Sequence, residues 1–256
     1  MTRTNRHFLV IGAQRCGTTY LHDLLAGHPD IAMARPVRPE PKVFLTDEVV
    51  VRGVEWYDRT WFPHAGTASL LGEKSTSYLE LPAAVARVIA VLGSPQILVQ
   101  LRDPVERAVS NWGFSRAHAM EDRPVSEALA HNLDGPLPWD PQLTSVSPYA
   151  YLERGRYADY LAPWLEAFPD LVRVQFLEEL VEGPDSLGEL YEWLGVDAGV
   201  RPASLGQRVN QGVDLEDPLD DALVARLRDY FRDSDQALTE LLGRDLPWHE
   251  TVGGTR

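Results

Sequence analysis

The stretch IGAQRCGTTYL, Ile11 to Leu21, follows an apolar run that begins at Phe8 and leads into residues with helical spacing. Gly12 and Gly17 have the spacing of the phosphate-binding loop G-x-x-x-x-G-K-[ST], and Thr19 matches its last position. Thr18 stands where that loop carries the lysine that reaches β- and γ-phosphates. Such a loop holds a phosphate through successive backbone N–H groups and the positive end of the following helix, without needing side-chain charge. Arg15 supplies a cation from inside the loop. A glycine-containing turn between strand and helix is by itself equally well only a turn; its position after the first strand points to function.

The reading extends outward from this unit. His7 to Ala13 reads as a buried strand, and Thr18 to Ala26 as a helix whose Leu21, Leu24 and Leu25 are spaced to pack on a sheet. Arg35 to Lys42 is proline-rich and irregular, and a loop with short helices is expected from there to Pro63. A short strand is expected at Ala68 to Gly72, a helix at Pro82 to Leu92, and a central strand at QILVQL, Gln96 to Leu101. Asp103 caps a helix from Pro104 to about His118, and a further helix spans Val125 to Asn132. Asp134 to Pro148 reads as a long surface loop, Tyr149 to Phe168 as a helix, and Val172 to Phe176 as a strand. Helices at Ser186 to Leu194 and Asp220 to Leu242 follow, with a frayed tail over residues 249–256. Strands alternating with helices predict an α/β fold: a central parallel sheet with helices on both faces, built around the phosphate-binding strand, loop and helix.

Bulk composition narrows the class. A chain of 256 residues, 44% hydrophobic, buries one substantial core, and a single domain over residues 1–256 is the simplest expectation. The single cysteine, Cys16, rules out an internal disulfide, and the apolar run at the N-terminus is far shorter than the ~18 residues needed to span a membrane. A cytoplasmic protein with no membrane partner is expected. A net charge of -14 disfavours nucleic acids and heavily sulfated polymers, since no Lys/Arg block offers them a basic patch. The seven histidines show no metal-ligand spacing, so no metal site is expected. Oligomeric state is left open.

A second constellation is LRDPVERAVSNW, Leu101 to Trp112. Arg102 follows the QILVQL strand, where ligands gather in open α/β sheets, and Ser110 lies on the next helix. An arginine there can fork onto a phosphate with the serine hydroxyl as a further donor; the plain alternative is a surface pair with Asp103 or Glu106. Two phosphate sites after separate strands suit a nucleotide phosphorylated at two separated positions.

Taken in order, GAQRCGTT, HPDI, PEPKVF, GEKSTSYL and LRDPVERAVSNW resemble the sulfotransferases that use PAPS (3′-phosphoadenosine 5′-phosphosulfate), particularly the branch containing heparan sulfate sulfotransferase domains and many bacterial relatives. The resemblance covers roughly Phe8 to Leu194. It implies that Gln14, Arg15, Cys16, Gly17, Thr18 and Thr19 bind the 5′-phosphosulfate and that Arg102 and Ser110 bind the 3′-phosphate, with PAP (the desulfated product) left after transfer. Most relatives carry lysine where Arg15 stands; arginine keeps the charge and changes the geometry. Glu40, in PEPKVF, matches the branch's catalytic glutamate, and Lys74, in GEKS, a lysine beside the reacting centre. The alternatives from the residues alone are a solvated Glu40 and a surface Lys74 paired with Glu73. A C-terminal loop that closes over the cofactor in the family is matched to Arg208 to Gly212.

The missing lysine has a physical reading in this frame. A sulfuryl group carries less negative charge than a γ-phosphoryl group, and the leaving nucleotide is held by its own phosphates, so neither that lysine nor magnesium is obligatory. The strand QILVQL runs into Arg102 rather than into a magnesium-binding acid. The expected acceptor is a hydroxyl on a saccharide or other small molecule. The aromatics at Trp56, Tyr57, Trp61, Trp112, Trp139 and Tyr149 are mostly core, with one or two expected at the site. Two other functions stay open: a P-loop kinase or nucleoside triphosphatase, and a non-catalytic nucleotide-binding protein of the same fold.

Overall fold

A computed structural model of the chain describes residues 6–140, 142, 146–182, 184–207 and 219–249. The chain divides into two compact units, one formed by Met1–Leu101 with Pro163–Val209 and the other by Arg102–Ala162 with Asn210–Arg256.

The first unit is an α/β layer structure. Its strands are β1 (Arg6–Gly12), β2 (Ile31–Met33), β3 (Leu70–Lys74), β4 (Gln96–Leu101) and β5 (Val172–Phe176), in the spatial order β2-β3-β1-β4-β5. Every neighbouring pair is parallel. Phe8 through Ile11 are fully buried, as are Ile97, Leu98 and Val99; successive strand residues point to opposite faces, so both faces of the sheet are covered. This is why these strands read as unbroken apolar runs. The helices are α1 (Thr18–Ala26), α2 (Glu48–Arg52), α3 (Val54–Trp61) and α4 (Pro82–Leu92), with α8 (Leu177–Glu182) and α9 (Pro184–Leu194) after β5. Leu21, Leu24 and Leu25 of α1 share one core with Phe8 and Val10 of β1 and Leu187 and Leu190 of α9. Each such side chain contributes roughly 1.5–3 kcal/mol by leaving water.

The strand order places β1 between β3 and β4, so the chain leaves the middle of the sheet, crosses to the β2 edge and returns on the other side of β1. Carboxyl ends of strands at such a reversal are where an open parallel sheet offers a ligand crevice.

The second unit contains α5 (Pro104–Ala117), α6 (Val125–Asn132) and α10 (Asp221–Leu242); α7 (Ala158–Ala167) begins in it and ends in the first unit. Val105, Ala108 and Trp112 of α5 pack with Leu129 of α6 and Leu227 and Phe231 of α10. Asp103 caps α5 by accepting the Val105 N–H at 2.8 Å, and Pro104 occupies the first turn.

The structure corrects the expected helix at Tyr149 to Phe168. Its first half is a run of turns containing a 3-10 turn at Glu153–Gly155, and the helix starts only at Ala158. Side chains from neighbouring helices satisfy the backbone there: Arg107 donates to the Tyr151 carbonyl, and the Leu152 N–H donates to Asn132 Oδ1 at 2.9 Å. With those groups already partnered, helical hydrogen bonds are not required. The second strand also lies two residues later than expected, at Leu70–Lys74, and β2 and α8 are additional.

Candidate active site

The carboxyl end of β1 opens into the loop Ala13 to Gly17. Arg15 and Gly17 have φ of 68° and 73°, the left-handed region that turns successive N–H groups toward one side. Gly17 is the N-cap of α1 and provides no side-chain cap, which leaves the first amides of that helix to a ligand. The loop is tied to β4 twice by one residue: the Ala13 N–H donates to the Gln100 carbonyl at 2.7 Å, and Gln100 Nε2 donates to the Cys16 carbonyl at 2.6 Å. Gln14 Nε2 donates to Ser77 Oγ at 3.3 Å, and Cys16 is buried. These observations fit a cradle for a phosphate group.

A side chain at Gly17 has no room. A Cβ there would lie 2.7 Å from a Leu177 methyl and 3.1 Å from Gln100 Nε2, on a backbone that L-residues rarely adopt. Gly17→Ala is expected to weaken PAP binding by about tenfold or more, the cost of left-handed strain and a displaced Gln100. Isothermal titration of folded mutant protein checks this; unchanged affinity would show that the loop does not hold the nucleotide.

Lys74 ends β3, in register with Val10 of β1. Its ammonium donates to Glu40 Oε1, across 34 positions of sequence, with the lysine side chain 7% and the glutamate 16% exposed. Thr76 completes the seat of Glu40: its N–H donates to Oε2 at 3.0 Å and its hydroxyl lies 3.1 Å and 3.2 Å from the two oxygens. Glu40 is therefore a fixed, half-buried carboxylate, and Lys74 pairs with it rather than with Glu73.

Glu73 faces the other side of β3 and is fully buried. It accepts hydroxyl hydrogen bonds from Tyr57 at 2.6 Å, from Ser75 at 2.7 Å and from Tyr78. Burial pushes its carboxyl above the usual range, against the pull of the three hydroxyls. His22 of α1 is buried beside Asp23, with Nδ1 3.1 Å from Oδ1; burial lowers its pKa, and the Lys74 charge acts the same way.

In the second unit, Arg102 forks through Nε and a terminal nitrogen onto Glu106 Oε2, at 3.2 Å and 2.7 Å. This is the surface pairing that the sequence offered as the plain alternative. The Arg102 carbonyl accepts from the Tyr157 hydroxyl at 2.8 Å. Asp103 receives both terminal nitrogens of Arg228, at 2.8 Å and 2.5 Å. Ser110 lies half-buried within α5. Arg208 and Gly212 lie outside the described residues. Among the described residues no group of three or more His, Cys, Asp or Glu side chains is placed to hold a metal ion, and no helix is long and apolar enough to cross a membrane.

Sequence reasoning missed Gln100, Thr76, Glu73 and Tyr78. Gln100 has a visible signal, a polar residue inside a buried apolar strand. Tyr57, counted among the aromatics of a possible acceptor pocket, is buried and holds Glu73. Trp112 is likewise core.

Comparison with known proteins gives three findings. A family model described as "Sulfotransferase domain" matches residues 5–203. Heparan sulfate glucosamine 3-O-sulfotransferase 6 of Homo sapiens is 27% identical over 268 residues, covering 94% of this chain and 72% of that protein. The chain spans 64% of a second such relative, heparan sulfate glucosamine 3-O-sulfotransferase 3B1 of Homo sapiens, also 27% identical and covering 94% of this chain. Among solved structures, a sulfotransferase from Alicyclobacillus acidocaldarius superposes with a TM-score of 0.74 at 23% identity, covering 96% of this chain and 99% of that one, a likeness of fold.

Proposed function

Because the chain belongs to the sulfotransferase domain family, we propose that it moves a sulfuryl group from PAPS to a hydroxyl of a saccharide or other small-molecule acceptor, with Glu40 as the general base. It is a sulfotransferase, which sets aside the phosphotransferase and non-catalytic alternatives. What supports the assignment of roles most is the seat of Glu40 on Lys74 and Thr76 at the carboxyl end of β3, the strand that pairs with β1.

PAPS, when bound, supplies a sulfuryl group joined to a good leaving phosphate. Arg15 and the loop amides from Gln14 to Thr19 are proposed to hold its 5′-phosphosulfate, and Arg102 and Ser110 its 3′-phosphate. Arg208 and Gly212 are proposed to cover it. Glu40 takes the proton that the acceptor hydroxyl loses as its oxygen attacks sulfur, and Lys74 offsets negative charge at the reacting centre. Residues 1–256 form one sulfotransferase domain in this reading; the family match includes residues of both units. The protein is cytoplasmic in the same reading, in keeping with a single cysteine. A net charge of -14 favours an acceptor other than a heavily sulfated polymer.

The test is calorimetric titration with PAP and separately with ATP and magnesium, followed by an acceptor screen with PAPS. Tight PAP binding and transfer in excess EDTA are expected, since Arg15, Lys74 and backbone N–H groups provide the positive charge. A strict requirement for a divalent metal, or preference for ATP, would overturn the reading.

A further inference from the structure

We propose that Glu73, which is too deeply buried to meet a ligand, is the positioning residue that sets Glu40, an inference that rests on Glu40 being the base. A two-layer hydrogen-bond network joins Glu73 to the segment of Glu40. In the inner layer, Glu73 Oε1 accepts from the hydroxyls of Ser75 and Tyr78, and Oε2 accepts from Tyr57. In the outer layer, two of those three hydroxyls turn their lone pairs to the segment that carries Glu40. Ser75 Oγ accepts the Lys42 N–H at 2.8 Å, and the Tyr78 hydroxyl accepts the Phe44 N–H at 3.0 Å.

The chemistry explains why an acid is placed here. A hydroxyl carries one proton and can either donate or accept along a given direction. Ser75 and Tyr78 give their protons to Glu73 Oε1 and so present lone pairs to the Lys42 and Phe44 amides. A buried carboxylate costs stability unless fully hydrogen-bonded, and three hydroxyl donors meet that requirement. The anchor passes to Glu40 through a short, stiff link. Lys42 has φ of 52°, a strained value for a residue other than glycine, and its N–H is the group held by Ser75. Pro41, whose ring locks φ, is the only residue between Lys42 and Glu40.

Three single-hydroxyl deletions separate positioning from general support. Tyr57→Phe, Ser75→Ala and Tyr78→Phe each remove one proton donated to Glu73, but only the last two release the Glu40 segment. Ser75→Ala and Tyr78→Phe are expected to lower kcat about tenfold to a hundredfold, with PAP affinity unchanged and faster native-state hydrogen exchange at the Lys42 and Phe44 amides. Tyr57→Phe is expected to lower Tm to a similar degree while leaving kcat and both exchange rates as in the wild type. Glu73→Gln, whose carbonyl oxygen still accepts from Ser75 and Tyr78, should keep most of kcat, and Glu73→Met, with no acceptor, should lose it. Equal kcat losses in all three hydroxyl variants, or losses of Tm alone, would overturn the proposal. Should the wild type fail to transfer sulfuryl groups, or Glu40→Gln retain full turnover, the base assignment falls. The exchange rates then still decide: faster exchange in Ser75→Ala and Tyr78→Phe alone upholds Glu73 as the anchor of this segment, and unchanged exchange sinks it.

Discussion

Glu40→Gln is expected to lower the rate of sulfuryl transfer by about two to four orders of magnitude, the usual cost of removing a general base, while PAP affinity stays level or rises slightly. Glutamine keeps the length of glutamate and an oxygen for Lys74, but its NH2 group cannot accept from the Thr76 N–H that now meets Oε2 at 3.0 Å. The variant should therefore fold with a modest loss of stability, about 1–3 kcal/mol for a buried group left unsatisfied. The Lys74 ammonium, 7% exposed, loses its counter-charge and becomes a better partner for an anionic nucleotide, which is why affinity should not fall. Paired assays of transfer and PAP binding on folded protein decide the matter. Near-normal turnover would show that Glu40 is not the base. Collapse of PAP binding together with activity would make Glu40 a support for the phosphate loop.

Arg102→Ala is expected to abolish a preference for PAP over AMP that the wild type should show by about tenfold to a hundredfold, the worth of a charge-assisted contact to one phosphate. The partner that Arg102 holds in this structure, Glu106, is 60% exposed in the first turn of α5. Such an exposed pair contributes only about 0.3–0.5 kcal/mol, so a phosphate can replace it at small cost. Its backbone is held independently by Tyr157, and the helix start by Asp103 and Arg228, so the alanine variant should keep its local structure. Titration of wild type and variant with both nucleotides is the measurement. Equal wild-type affinity for PAP and AMP would remove Arg102 and Ser110 from the nucleotide site.

Sequence and structure agree best where one local rule decides the element. The apolar run of β4, the alternating residues of β5, the spacing of α1, and the proline at the start of α4 were readable to the residue because each depends on its own chain segment. The strand β2 was not, since three residues at a sheet edge give too little pattern. Tyr149 to Tyr157 has the composition of a helix and the fold of turns, because Arg107 and Asn132, from α5 and α6, satisfy its backbone. The same division holds at the site. The phosphate loop is contiguous and could be read from its glycines. Glu40 takes its meaning from Lys74 and Thr76, 34 and 36 positions away, and Glu73 in part from Tyr57, 16 positions away, so motif order brought Glu40 and Lys74 to notice and no motif marked Glu73.

Gln100 binds the phosphate loop at Ala13 through its main chain and at Cys16 through its side chain. A loop clamped at two points to a sheet strand cannot fold around its ligand, because the conformational entropy of ordering it was lost when the sheet formed. The phosphate loop itself should then add little to the heat-capacity change on PAP association, in contrast to the large negative value that accompanies segments ordering on binding. A substitution of the buried Gln100 side chain would correspondingly present as loss of nucleotide affinity, because it frees the loop at Cys16.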